Sequence, residues 1–230
     1  NFGITPDNRD IRAVKTEEIP EFDILTGGFP CQSFSIVAQN PKRLGVKDER
    51  GKLFFEMCRI LRERQPKCFI AENVKGILTA NKRSAFPLIL KEFEESGYEV
   101  QYQILNSADY GVPQKRERVI IIGFRKDLNI TFSFPEAEID DETKYIPLKT
   151  VIEKRVDEKY FFSERAVAGM MKKRESMNKG RAQNINKPCN TVGAHLAKVS
   201  LNSTDPVLME GERYRRFTPR EVARIQSFPD

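Results

Sequence analysis

The 230-residue sequence predicts an α/β fold followed by a smaller, less regular region. Three observations carry that reading. Short apolar strand candidates alternate with amphipathic helical stretches through the first half of the chain. The first two of these strands run into glycines or polar residues at their carboxyl ends. After about Phe134 the alternation gives way to an acidic stretch and then to a basic one poor in apolar residues. In chain order, Asp23-Ile24-Leu25-Thr26 is a short strand running into Gly27-Gly28. Leu53 to Arg64 carries apolar residues at Leu53, Phe54, Met57, Ile60 and Leu61, a helical spacing, with Pro66 beyond its end. Cys68-Phe69-Ile70-Ala71 reads as a buried strand entering Glu72-Asn73, and Phe86 to Ser96 as a helix stopped by Gly97. Tyr98 to Leu105 alternates like a strand, and Val119 to Phe124 is a near-continuous apolar run suited to a central strand. Glu136 to Lys144 is acidic and loop-like, and Met170 to Lys187 is basic. Thr218-Pro219-Arg220-Glu221 has the form of a capped helix start with proline at the first helical position, the helix running to about Ser227. There is no internal repeat.

Composition narrows the function classes. Hydrophobic residues make up 39% of the chain, and no apolar run approaches a membrane span. Asn1 to Asp10 is polar, unlike a secretory signal. A formal charge of +6 suits a polyanionic partner such as nucleic acid, though many basic proteins have none. The four cysteines, Cys31, Cys58, Cys68 and Cys189, form no CxxC pair, and His195 is the one histidine. Those residues argue against a structural zinc and for reduced thiols in a cytoplasmic protein.

Four segments bear on chemistry, and each also has an ordinary explanation. Gly27-Gly28-Phe29-Pro30-Cys31-Gln32-Ser33-Phe34-Ser35 places a cysteine at a strand's carboxyl end, the edge where open α/β sheets bind ligands. A lone cysteine is more often an inert buried residue. Cys58 and Cys68 fit that description, whereas Cys31 sits among turn-forming and polar neighbours. Glu72-Asn73-Val74 also follows a strand, where an acid can equally be solvated or cap a helix. Gln114-Lys115-Arg116-Glu117-Arg118 by itself would be a charged turn. Arg216-Phe217-Thr218-Pro219-Arg220-Glu221 by itself would open a surface helix.

Taken together and in this order, the Pro-Cys-Gln turn, the Glu-Asn-Val triplet, the Gln-x-Arg-x-Arg run and the Arg-Glu-x-x-Arg-x-Gln helix resemble the cytosine-5 DNA methyltransferase family of the bacterial restriction-modification type. Asp109-Tyr110-Gly111-Val112-Pro113 adds to the match. The resemblance runs from Asp10 to Asp230 and is weakest between about Pro135 and Glu212. It implies a Rossmann-like S-adenosylmethionine-dependent methyltransferase fold, α/β, with a small target-recognition region. The catalytic domain would occupy 1–146 and the target-recognition region with its following helix 147–230. The family's Phe-x-Gly-x-Gly turn does not precede Asp10, and its Gly-Asn-Ser-Val segment does not follow within the chain. The resemblance therefore implies a chain trimmed at both ends, with an incomplete sheet and no activity alone.

The same resemblance implies roles. Carbon 5 of cytosine is a poor nucleophile until a thiolate adds at carbon 6, and Cys31 would supply that thiolate. Glu72 would hold or protonate ring nitrogen 3 and the amino group, and Arg118 would contact the base carbonyl, with Arg116 assisting nearby and Asn73 organising the closed site and contacting DNA. S-adenosylmethionine, the implied methyl donor, would meet Asp10, Ile11, Pro30 and Leu53. Double-stranded DNA would meet Gln32, Ser33 and Ser35, with the cytosine flipped out of the duplex. Within about Leu148 to Glu212, Asn190-Thr191-Val192 resembles a strand whose threonine contacts DNA. Lys172, Lys173, Arg174 and Arg181 are candidates for phosphate contacts, or for a solvated charge run. A cognate restriction endonuclease is the functional partner such an enzyme would have, with no obligate protein partner and no metal. Two alternatives are a transfer-RNA cytosine-5 methyltransferase and a non-catalytic DNA-binding fragment.

Overall fold

A computed structural model describes residues 3, 5–30, 49–172, 182–193, 196 and 206–230. The chain divides into two compact units. One comprises Asn1–Leu105 and Arg118–Phe134, the other Asn106–Glu117 and Pro135–Asp230.

Among the described residues the elements follow in the order β1 (Ile24–Gly28), α1 (Glu49–Arg64), β2 (Cys68–Val74), α2 (Ala85–Glu95), β3 (Tyr98–Asn106), β4 (Gln114–Lys115), β5 (Glu117–Arg125), α3 (Glu164–Lys172), β6 (Cys189–Asn190), β7 (Leu208–Glu210), β8 (Arg213–Arg215) and α4 (Pro219–Ile225), with short 3-10 turns between several of them. The four expected strands form one sheet in the order β1-β2-β5-β3. Strand β1 runs parallel to β2, with Gly28 opposite Glu72. Strands β2 and β5 are antiparallel, with Ala71 opposite Ile121.

Alternation along β2 and β5 turns Phe69, Ala71 and Asn73, with Val119 and Ile121, toward a buried core. Helices α1 and α2 supply the other half of that core through Phe54, Met57, Leu61, Phe86, Ile89 and Phe93. The Phe93 ring lies 4.4 Å from Phe69 and 5.2 Å from Phe54, and Phe29 closes the cluster 5.0 Å from Phe54. Burying so many aromatic rings is the main stabilising term of this unit.

Boundaries differ from the sequence reading in instructive ways. Helix α1 already includes Glu49, a polar turn ahead of Leu53. Gly27 and Gly28, expected just beyond the strand, are the last residues of β1. Their value is room: a Cβ at Gly27 would sit 3.1 Å from the Met57 sulfur, and one at Gly28 would sit 3.5 Å from Glu72 Oε2. The last helix starts as expected, with Thr218 and Glu221 forming a reciprocal capping box, and ends at Ile225. No described helix is long and apolar enough to cross a membrane.

In the second unit a separate core gathers Leu148, Cys189, Val192, Leu208, Phe217 and Ile225. Arg215 is buried against it and donates to both oxygens of the equally buried Glu221, at 2.8 and 2.9 Å. Glu221 also accepts the backbone N–H groups of Thr218 and Glu153. Each charge is therefore paired and hydrogen-bonded, the condition under which a buried ion pair survives its desolvation cost.

The tightest setting of any described glycine yields a stability test. Gly123 faces Phe69 across the β2–β5 ladder, and a Cβ there would lie 2.1 Å from the ring. Gly123→Ala is expected to lower unfolding free energy by ~1–3 kcal/mol through overpacking. Urea denaturation followed by circular dichroism measures this, and an unchanged midpoint would show that Phe69 has another place to go.

Candidate active site at the sheet's carboxyl edge

The parallel pairing of β1 and β2 brings two of the motif segments to one edge. With Gly28 opposite Glu72, Phe29-Pro30 leaves β1 beside Asn73-Val74, the last residues of β2. Asn73 points inward and is buried; its Nδ2 donates to the Phe29 carbonyl oxygen at 2.8 Å, and its Oδ1 accepts the Val74 N–H at 2.9 Å. Phe29 is thus held twice, by its ring in the aromatic core and by its carbonyl on Asn73. Pro30 follows directly. Cys31, Gln32, Ser33 and Ser35 lie outside the described residues.

Glu72 points the other way from Asn73, as strand alternation requires. On the same face, two residues along the antiparallel ladder from its partner Ile120, Arg118 pairs with it, Nε to Oε1 at 2.6 Å. The Arg118 side chain is 18% exposed and that of Glu72 44%. The guanidinium therefore covers one side of the carboxylate while the other remains open. Gly28 keeps that opening clear, since any side chain there would start 3.5 Å from Glu72 Oε2. An acceptor and a donor fixed side by side, half open to solvent, can hold the polar edge of a planar heterocycle.

The residues expected to meet the donor are in the first unit too. Asp10 caps the 3-10 turn Ile11–Ala13 by accepting the Arg12 N–H at 3.0 Å, and it pairs with the Arg12 guanidinium at 2.9 Å. That guanidinium holds the Asp10 carboxyl down to about 2. Ile11, Pro30 and Leu53 are each partly buried.

Arg116 belongs to the second unit. Its backbone is gripped at both ends, its N–H donating to Asn106 Oδ1 at 3.1 Å and its carbonyl accepting the Ser107 N–H at 3.1 Å. Asn106 is steadied by Asp109, which accepts from Asn106 Nδ2 at 3.0 Å and from the Tyr145 hydroxyl. That second bond pushes Tyr145 up to about 12. Gln114 is buried; its Oε1 accepts the Val192 N–H and its Nε2 donates to the Ile225 carbonyl. The first residue of the Gln-x-Arg-x-Arg run is thus a clamp within its own unit.

Thr191, expected within a strand, lies just after β6, which ends at Asn190. Its hydroxyl donates to the Lys115 carbonyl at 2.8 Å. The side chain of Lys172 and all of Lys173, Arg174 and Arg181 lie outside what is described. Asn106 and Ser107 escape the sequence reading, although an Asn opening a turn before Ser-Ala-Asp is an N-cap signal. Among the described residues no cluster of three or more His, Cys, Asp or Glu could hold a metal ion.

Cys58, Cys68 and Cys189 are free thiols. Cys58 and Cys189 are fully buried, and burial pushes both up to about 12. Cys68, partly exposed, is raised for the same reason.

Comparison with known proteins identifies the family and the fold. The model of the family described as C-5 cytosine-specific DNA methylase matches residues 1–230. The type II methyltransferase M.FnuDI of Fusobacterium nucleatum is 37% identical over 96% of the chain and 71% of its own length. M1.ScrFI of Lactococcus lactis subsp. cremoris is 38% identical over 100% of the chain and 59% of its own length. The chain thus spans between about three fifths and seven tenths of these relatives. Among solved structures, the Dnmt2 methyltransferase of S. pombe superposes with a TM-score of 0.74 at 18% identity, covering 97% of the chain and 73% of that protein. The Entamoeba histolytica methyltransferase EhMeth follows with a TM-score of 0.70 at 15% identity, covering 99% and 72%. That likeness shows the fold, the Rossmann-like α/β sheet of these methyltransferases.

The buried thiols carry a test. Because burial disfavours their thiolates, Cys58 and Cys189 are expected to resist iodoacetamide at pH 8 in the native protein and to react once it is unfolded. Peptide mass spectrometry reads the outcome; rapid native labelling of either would contradict their burial.

Proposed function

The chain belongs to the C-5 cytosine-specific DNA methylase family, a family of DNA cytosine-5 methyltransferases, and we propose that in the full-length protein Cys31 is the nucleophile and Glu72 the acid that activates cytosine for methylation at carbon 5. The observation that carries the reading is the Glu72–Arg118 pair beside the tethered Phe29-Pro30 segment, one residue ahead of Cys31. The other three cysteines are poor candidates, being raised by burial.

On this reading the Cys31 thiolate adds to carbon 6 of a cytosine flipped out of duplex DNA, and the ring's π electrons move toward nitrogen 3 and the carbonyl oxygen. Glu72 holds or protonates nitrogen 3 and binds the amino group. Arg118 orients Glu72 and meets the carbonyl oxygen, spreading the charge that thiolate addition creates. Carbon 5, now nucleophilic, would take the methyl group from the bound donor, whose sulfur–methyl bond would break as the new carbon–carbon bond forms. A solvent base would then take the carbon 5 proton, the electron pair re-forming the 5,6 double bond as the Cys31 sulfur leaves as thiolate and nitrogen 3 gives its proton back to Glu72. Asn73, with its amide committed to Phe29 and Val74, acts by holding the strand end in place rather than by touching the base.

S-adenosylmethionine is the donor proposed, supplying an electrophilic methyl group when bound. The residues present fit its adenine: the Asp10 carboxylate is an acceptor for an exocyclic amine, and Ile11 beside it offers apolar surface. Pro30 and Leu53 complete the assignment. Gln32, Ser33, Ser35 and Thr191 are proposed DNA contacts, Arg116 a helper at the base, and 1–146 and 147–230 the catalytic and target-reading regions. Free thiols fit a cytoplasmic enzyme, and a cognate restriction endonuclease is the matching functional partner. The transfer-RNA alternative is disfavoured because the family model and the curated type II relatives point to DNA.

Two measurements on the full-length protein test this reading. Methyl transfer is expected to duplex DNA and not to transfer RNA; the reverse preference would replace the substrate assignment, and transfer to neither would favour a binding role. Glu72→Gln, which keeps the shape and removes the charge, is expected to slow catalysis by about 10²–10⁴-fold with DNA affinity little changed. Equal losses of rate and affinity would make Glu72 a structural residue instead.

A further inference from the structure

The turn assigned to adenine is too small to hold itself. Ile11–Ala13 is a single 3-10 turn with no buried residue, closed by the Asp10 cap and two backbone hydrogen bonds. Short 3-10 turns have poor hydrogen-bond geometry and rely on outside contacts. Among the described residues one such contact is Arg59, from the middle of helix α1. Its Nη2 donates to the carbonyl oxygens of Ile11, at 3.3 Å, and Val14, at 3.1 Å. Its Nη1 donates to the hydroxyl of Thr16, which is itself buried.

The guanidinium is aimed by its own helix. Glu56, one turn back, accepts from Nε at 2.8 Å, and Glu63, one turn on, lies 3.9 Å from Nη1. The side chain is 26% exposed, so its contacts are shielded more than those of a surface pair. A planar fork reaching three acceptors on the turn segment is a task lysine cannot reproduce, since an ammonium is a point charge without fixed directions.

We propose that Arg59 is a positioning residue for the methyl donor: it fixes the Ile11–Thr16 segment so that Asp10 and Ile11 are preset for the adenine before the donor arrives. The inference rests on the reading of Asp10–Ile11 as the adenine contact, and the test separates the two. The Arg59 guanidinium is spent on the turn segment and on its own helix, so its effect is expected to fall on one substrate. A preset turn spares the donor the ordering cost that a loose one would impose.

The experiment uses the full-length protein and S-adenosylmethionine. Calorimetry on Arg59→Lys is expected to show donor binding about tenfold weaker, the loss of roughly one charge-assisted hydrogen bond. KM for the donor should rise in step, while KM for DNA and kcat at saturating donor stay within about twofold. In the donor-free protein, amide hydrogen exchange over 11–16 should speed up selectively in the variant. Thr16→Val, which removes one acceptor and no charge, is the milder companion and is expected to weaken donor binding about threefold. Asp10→Ala supplies the control. Donor affinity unchanged in Asp10→Ala would overturn the adenine reading itself. Donor affinity reduced in Asp10→Ala but within about twofold of wild type in both Arg59→Lys and Thr16→Val would overturn the role of Arg59 alone. An equal rise in KM for donor and DNA would likewise reduce Arg59 to a residue of general stability.

Discussion

The site depends on one register: β1 and β2 run parallel with Gly28 opposite Glu72. That pairing is what brings Phe29-Pro30, the residues just ahead of Cys31 in sequence, beside an acid-bearing strand end, though more than forty positions separate Pro30 and Glu72 along the chain. A slip of one residue would turn Glu72 into the aromatic core and Asn73 out of it. The Asn73–Phe29 hydrogen bond locks the register at the point where it matters, because it forms only with Asn73 inward. Phe29 adds its ring to the same lock from the core side. The chemistry on the outer face is therefore held in place by packing on the inner one.

Polar groups do the equivalent work in the second unit. Its core is smaller, and buried Gln114, Arg215 and Glu221 link its segments through fully partnered hydrogen bonds. Such networks are costly when broken and directional when intact. They suit a region whose chain, between short strands and turns, has little regular structure to define it. Arg116 profits most, with its backbone set by Asn106 and Ser107 rather than by a ladder.

Apolar patterning locates all four strands of the main sheet and two of the helices, because each has one face or stripe in a core, while the capping signal at Thr218 locates a third. It misplaces edges where the terminal turn is polar, as at Glu49, or where glycines continue a strand, as at Gly27 and Gly28. The motif residues Glu72, Asn73, Arg116 and Arg118 are readable as a set, but their directions are not. That Asn73 faces inward and Glu72 outward follows from the register, and that Gln114 is a clamp follows from partners at Val192 and Ile225, far off in sequence. Arg59 looks like one more charge on a helix until the fold lays Ile11 and Val14 against it.

The central claim is that this edge forms a covalent bond to cytosine through Cys31. The most direct measurement is mapping of the adduct formed by the full-length protein, S-adenosylmethionine and duplex DNA bearing 5-fluorocytosine in the recognised sequence. Fluorine cannot leave carbon 5 as a proton does, so the adduct persists and can be digested. The account requires the modified nucleotide on the peptide containing Cys31, with no adduct in Cys31→Ser. An adduct on any other residue, or methylation that proceeds without one, would contradict it.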